Sequence, residues 1–178
     1  MNKKKLTLAT IWLDGCSGCH MSLVDVDERL LEVAEIYDIV FSPLVDVKEF
    51  PEQVDVTLLE GAISTDEDVE MVKRIRKSTQ TLIAFGDCAV TSNVPSMRNH
   101  FKVEDVFKRG YLETTPGNDV IPDENIPRLL EKAYPVHHFV HVDVFLQGCP
   151  PSADNIFYTL AEVAEGRTPE LAKRARFG

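Results

Sequence analysis

The four cysteines are the residues of this chain whose chemistry is most constrained. Two form the stretch Cys16-Ser17-Gly18-Cys19; Cys88 and Cys149 stand alone far downstream. A thiol can ionise, attack, pair in a disulfide or bind a soft metal. Which of these applies depends on what brings the four together.

Each cysteine follows an apolar run. Residues 6–13 are β-favouring and nearly continuously apolar, as expected of a strand covered on both faces, and lead into Asp14-Gly15-Cys16. Residues 81–85 lead into Gly86-Asp87-Cys88, and 140–146 into Gln147-Gly148-Cys149-Pro150-Pro151. In an open parallel sheet, ligands bind outside the carboxyl ends of the strands, near the switch in strand order. All four cysteines are therefore expected on one edge of one sheet.

The remaining pattern supplies that sheet. Leu23, Val26, Leu30, Leu31 and Ala34 recur at helical spacing after the first cysteine pair. Strands are expected at 38–42 and 54–59, the latter ending in Glu60-Gly61. A helix is expected over 65–77, capped by Thr65, acidic in its first turn and basic in its last, with Val69, Val72 and Ile75 inward. Residues 89–100 read as a short helix broken near Pro95, and 103–112 as another. Residues 113–127 read as a surface loop, and 128–133 as a brief helix. Ser152 can cap a closing helix through residue 163, with Ile156, Leu160 and Val163 inward. Alternating strands and helices indicate an α/β fold, a flavodoxin-like doubly wound parallel sheet of about five strands in a single domain. The expected division is a cluster-binding domain over 1–165 and a basic tail over 166–178, exposed or docked on a partner.

Length and charge narrow the function. A chain of 178 residues can bury a core without disulfide or metal staples. Its formal charge of −10 argues against nucleic acid and anionic membrane surfaces. No run approaches the roughly 18 apolar residues of a membrane span. The N-terminal run is short, contains Thr7 and Thr10, and lacks a small-residue cleavage site. The expected location is cytoplasmic, where cysteines serve as ligands or reactive thiols rather than disulfides.

Glycine accompanies every cysteine, as Gly15, Gly18, Gly86 and Gly148. Such residues let backbone approach a bulky ligand, and their amides can donate to sulfur. Pro150 matches the Cys-Pro ending of ferredoxin motifs. Four thiolates suit a [4Fe–4S] cluster. Zinc also takes four thiolates, although such sites usually pair two close Cys-x-x-Cys knuckles. A thioredoxin-like redox pair fits strand, Cys-x-x-Cys, helix but leaves Cys88 and Cys149 unused. A plain flavodoxin would need a Ser/Thr-rich loop where the first cysteines stand.

Together, Gly15-Cys16-Ser17-Gly18-Cys19, Glu60-Gly61-Ala62, Gly86-Asp87-Cys88-Ala89 and Gly148-Cys149-Pro150-Pro151 resemble the small subunit of [NiFe] hydrogenases over residues 7–163. The resemblance implies that Cys16, Cys19, Cys88 and Cys149 hold the proximal [4Fe–4S] cluster, facing a Ni–Fe site in a hydrogenase large subunit. It points to the cytoplasmic, NAD-reducing type, because the export signal and C-terminal cluster segment of longer members are not seen. Electrons would then pass to iron–sulfur and flavin-containing diaphorase subunits, with NAD bound there. The related complex I subunit has adjacent cysteines in the first motif, whereas Ser17 and Gly18 separate them here. Other cytosolic hydrogenases, a complex I-like oxidoreductase, a flavin-binding electron-transfer module and a redox-active thiol protein are the alternatives. The fold could hold FMN.

No residue of this chain is expected to perform bond chemistry. Glu60 would touch the large subunit, join a proton path, or accept loop amides as a structural carboxylate. His20 could bond a cluster sulfur or cap the helix. Asp87 should order its turn by accepting amides. Trp12 is expected in the core, and His137, His138 and His141 on the surface.

Overall fold

The apolar runs become strands because both of their faces are covered. The computed structural model describes residues 4–117 and 119–174. Its elements are β1 (Leu6–Trp12), α1 (Gly18–Val24), α2 (Leu30–Ile36), β2 (Tyr37–Phe41), β3 (Val54–Glu60), β4 (Ile63–Thr65), α3 (Asp66–Ser78), β5 (Thr79–Phe85), α4 (Asp87–Thr91), α5 (Val103–Phe107), β6 (Leu129–Tyr134), β7 (Val144–Leu146) and α6 (Ala153–Ala164). Five strands form one parallel sheet in the order β2-β1-β3-β5-β7. This is the doubly wound flavodoxin-like order. The chain leaves β1 for β2 on one side and returns to β3 on the other, so the switch point lies between β1 and β3.

Side chains alternate across the sheet with period two. Leu8, Val56, Leu58, Ile83 and Phe85 pack with Leu23, Val33, Ile156 and Leu160 of α1, α2 and α6. Ile11, Leu59, Leu82 and Ala84 pack with Val72 and Ile75 of α3 and Ala89 and Val90 of α4. Helix α3 forms as its charges and cap require: the Thr65 hydroxyl accepts from the Asp68 amide, and the Asp68 carboxylate accepts from the Thr65 amide. Ser152 likewise caps α6 by accepting from Asn155. Val72 and Ile75 are buried, while Val69 and Val163 are partly buried.

Several expectations need correction. The helix after the first cysteines breaks at Val24, passes through a 3-10 turn at Asp27–Arg29, and restarts at Leu30. Asp27 takes a positive φ of 55°, which shifts the helical phase. Val33 and Tyr37 turn inward in consequence, leaving Leu31 and Ala34 exposed. Residues 128–133, read as a helix, contain most of β6, which pairs antiparallel with β4. Leu, Glu, Lys and Ala are helix formers, but neighbours satisfy this backbone from outside. Asn99 accepts from the Ala133 amide and donates to its carbonyl, at 2.7 and 2.9 Å, and Arg98 donates to the Glu131 carbonyl. The last strand is shorter than 140–146. Asp143 ends its ladder early by accepting the Leu82 amide with its carboxylate at 2.7 Å.

Trp12 is half exposed rather than in the core, because it ends β1 at the rim of the sheet. His137, His138 and His141 are exposed as expected. The described part of the C-terminal segment folds back on the body: Leu171 packs against the core and the Arg174 guanidinium lies 3.8 Å over the Tyr158 ring. Residues 175–178 lie outside the described residues. No helix among the described residues is long and apolar enough to cross a membrane.

Candidate functional site

Three loops meet at the carboxyl edge of the sheet. The loop after β1 is pinned to the one after β3: the Leu13 amide donates to the Glu60 carbonyl, and Asp14 and Ala62 exchange backbone hydrogen bonds at 2.7 and 3.3 Å. Gly61 permits this approach, because a Cβ there would sit 2.7 Å from the Leu13 carbonyl carbon. Gly15 lies against Gly61 and the Glu60 carboxylate. The loops after β5 and β7 interlock as well. The Asp87 amide donates to the Gly148 carbonyl at 2.9 Å, and the Gly148 amide to the Asp87 carboxylate at 2.7 Å. Asp87 thus orders a neighbouring loop rather than only its own turn. The Ser22 hydroxyl ties α1 to the third loop by donating to the Pro151 carbonyl at 2.5 Å.

The cysteines gather where these loops meet. Cys19 and Cys88 are buried, Cys16 and Cys149 exposed, and all four are free thiols. Gly86 has φ +84° and ψ 165°, a region open essentially only to glycine. A side chain there would also overlap the Cys19 sulfur. Gly18 opens α1 against the Cys16 sulfur, with Pro150 on its other side. Burial first, then the Glu60 carboxylate and the other three thiols, push the Cys19 thiol far above its ordinary range. Burial likewise pushes Cys88 up to about 11; an amide hydrogen bond from Val94 opposes the shift, while Cys149, Cys16 and Glu60 add to it. Uncompensated thiolates are therefore disfavoured at Cys19 and Cys88. Among the described residues, no three His, Cys, Asp or Glu side chains are grouped so as to hold a metal ion.

Behind the cysteines lies a polar network only partly legible in the sequence. Glu60, 1% exposed, accepts the His20 amide at 3.1 Å and contacts the His20 ring at Nδ1. His20 Nε2 meets the Thr10 hydroxyl at 3.0 Å, and Thr10 donates to Ser42 at 2.8 Å. His20 therefore pairs with a carboxylate inside the protein, which neither sequence expectation for it contains. The accepted amide places Glu60 on its structural reading. Thr10 and Ser42 escaped the sequence reading; the available signal was Thr10 two residues after Leu8, on the same strand face. Two buried hydroxyls in the cysteine loops, those of Ser17 and Ser92, have no hydrogen-bond partner among the described residues.

The fold and this edge define a class: a doubly wound α/β protein with four free cysteines on loops at the carboxyl edge of its sheet. Family comparison carries the identification further. Residues 16–163 match the family of the 20 kDa subunit of NADH ubiquinone oxidoreductase, and the chain belongs to that family. This agrees with the kinship drawn from the four motifs. The chain is 40% identical over 172 residues to the delta subunit of the NAD-reducing hydrogenase HoxS of Cupriavidus necator, covering 94% of this chain and 82% of that one. It is 38% identical over 174 residues to a subunit of the F420-non-reducing hydrogenase of Methanothermobacter marburgensis, covering 94% of this chain and 56% of that one. It superposes on a chain of an NAD+-reducing [NiFe]-hydrogenase crystal structure with a TM-score of 0.92 and 37% identity, covering 98% of this chain and all of that one.

Proposed function

We propose that this chain is the electron-transfer small subunit of a cytoplasmic NAD-reducing [NiFe] hydrogenase, a hydrogen:NAD oxidoreductase. Cys16, Cys19, Cys88 and Cys149 would hold one [4Fe–4S] cluster. The observation that carries this reading is the placement of four free cysteines on the loops at the carboxyl ends of β1, β5 and β7, in a chain of this family. The site also suits a cluster in its chemistry. Two of its thiols are buried, glycine leaves room beside Cys19, and two hydroxyls lack a partner among the described residues.

When bound, the cluster supplies one-electron transfer. The chain's residues do the rest. The interlocked loops fix the thiols, Glu60 holds the Cys19–His20 peptide, and the sheet faces keep water from Cys19 and Cys88. Dihydrogen cleavage belongs to a large subunit with the Ni–Fe site, and NAD reduction to iron–sulfur and flavin-containing diaphorase subunits. Trp12, Met21, Val94 and Met97, all exposed and close in sequence to the cysteine loops, suit an edge that a large subunit covers. The division at residue 165, with a basic tail after it, belongs to the same proposal.

The test is iron and acid-labile sulfide analysis, with EPR of the reduced complex purified through this chain. About four irons with a nickel-binding subunit support the reading. Zinc without iron overturns it, and flavin that stays with this chain after its separation from the partner subunits would assign FMN to it.

A further inference from the structure

Two buried side-chain polar atoms among the described residues lack hydrogen-bond partners, the hydroxyls of Ser17 and Ser92. Both serines hold a left-handed backbone with φ +64°, and each lies in a cysteine loop. Ser17 is only partly buried, where a docking subunit can reach it. Ser92 differs: it is 2% exposed, so its partner must lie inside the protein.

The turn containing Ser92 wraps Cys88. The Ser92 amide donates to the Cys88 carbonyl at 3.0 Å, which closes the turn that begins at Cys88. Glycine at position 92 would relieve the left-handed strain that any Cβ brings. It would also remove the desolvation cost of an unmet buried hydroxyl. Serine is costly here unless its hydroxyl has something to donate to.

We infer that the Ser92 hydroxyl donates to sulfur at the Cys88 corner of the bound iron–sulfur cluster and raises its reduction potential. The inference rests on the cluster proposed above. Hydrogen bonds to cluster sulfur favour the reduced, more negative form, which is one of the protein's means of setting potential. Ser92 is thus a tuning residue rather than a ligand.

The test compares Ser92→Ala and Ser92→Gly in the full chain purified with its partner subunits. The readouts are iron content and an EPR-monitored redox titration. Both variants remove the hydroxyl, but only glycine relieves the backbone strain. Both should keep full iron content and make reduction about tenfold less favourable, a negative shift of about 59 mV for one electron. Ser92→Gly should unfold at or above the wild-type temperature. Unchanged potentials in both variants, with full iron, overturn the inference and leave the cluster reading intact. A shift in Ser92→Gly alone assigns the effect to release of backbone strain and also overturns it. Absence of iron and sulfide from the wild-type complex overturns the cluster reading itself, and this inference with it.

Discussion

The two ends of the parallel sheet are finished in different ways. At the amino end the chain satisfies itself: the Asp55 carboxylate accepts both the amide and the hydroxyl of Thr7, and Thr57 pairs with Thr79. Arg76 there donates to the carbonyls of Thr79 and Gln80. At the carboxyl end two hydroxyls have no partner among the described residues, two thiols are exposed, two more are buried under repulsion, and a tryptophan stands half in solvent. One end is complete as a folded chain. The other is complete only with something the chain does not contain.

The largest expected effect breaks this contrast at its centre. Cys88→Ala or Cys149→Ala should abolish or convert the cluster and remove nearly all hydrogen-dependent NAD reduction, read by iron content, EPR and turnover. Survival of both cluster and rate in either variant would end the four-ligand reading. Next is Gly86→Ala, which forces a disallowed backbone and drives a methyl into the Cys19 sulfur. It should cost about 2–4 kcal/mol and distort the EPR signal.

Changes at the amino end should separate stability from chemistry. Asp55→Ala strands the Thr7 amide and hydroxyl and should cost about 1–3 kcal/mol in denaturant melts, without moving the cluster's potential. A moved potential would show that the two ends are coupled. The smallest effect is a pH dependence. Although burial opposes it, hydrogen bonds from the Leu82 amide and Arg76, and the charge of Arg76, hold the Asp143 carboxyl below its ordinary value. A depressed folded value means this stabilisation is present above the carboxyl's unfolded pKa and fades as pH falls through the folded one. Asp143→Asn should therefore lower the melting temperature at neutral pH and flatten its decline on the acid side.

The sequence discloses most clearly what local pattern decides. Strands β1, β3 and β5 are buried on both faces, so they read as continuous apolar runs. Helix α3 carries its own cap and charge order. What escapes is decided by contacts between distant segments. Residues 128–133 have helical composition, yet Asn99, Arg98 and β4 occupy the hydrogen-bonding groups that a helix would use. A single positive φ at Asp27 reassigns the buried face of the next helix without changing any residue type. The cysteines were legible because their relation depends on topology alone. The pairing of His20 with Glu60 was not, because it depends on where α1 lies over the sheet. His20 and Leu23 share a helical stripe, which is the trace of that burial in the sequence.

The spacing of the thiols along the chain has a consequence for biosynthesis. Cys19 and Cys149 are separated by about 130 residues, and β7 is the last strand to join the sheet. At translation speeds of about 5–20 residues per second, the last thiol is synthesised roughly 6–26 s after the first pair. Through that interval Cys16 and Cys19 emerge as an unprotected dithiol. Iron delivered then would meet only two of the four thiols, so on the proposed four-cysteine site cluster assembly follows the synthesis of Cys149.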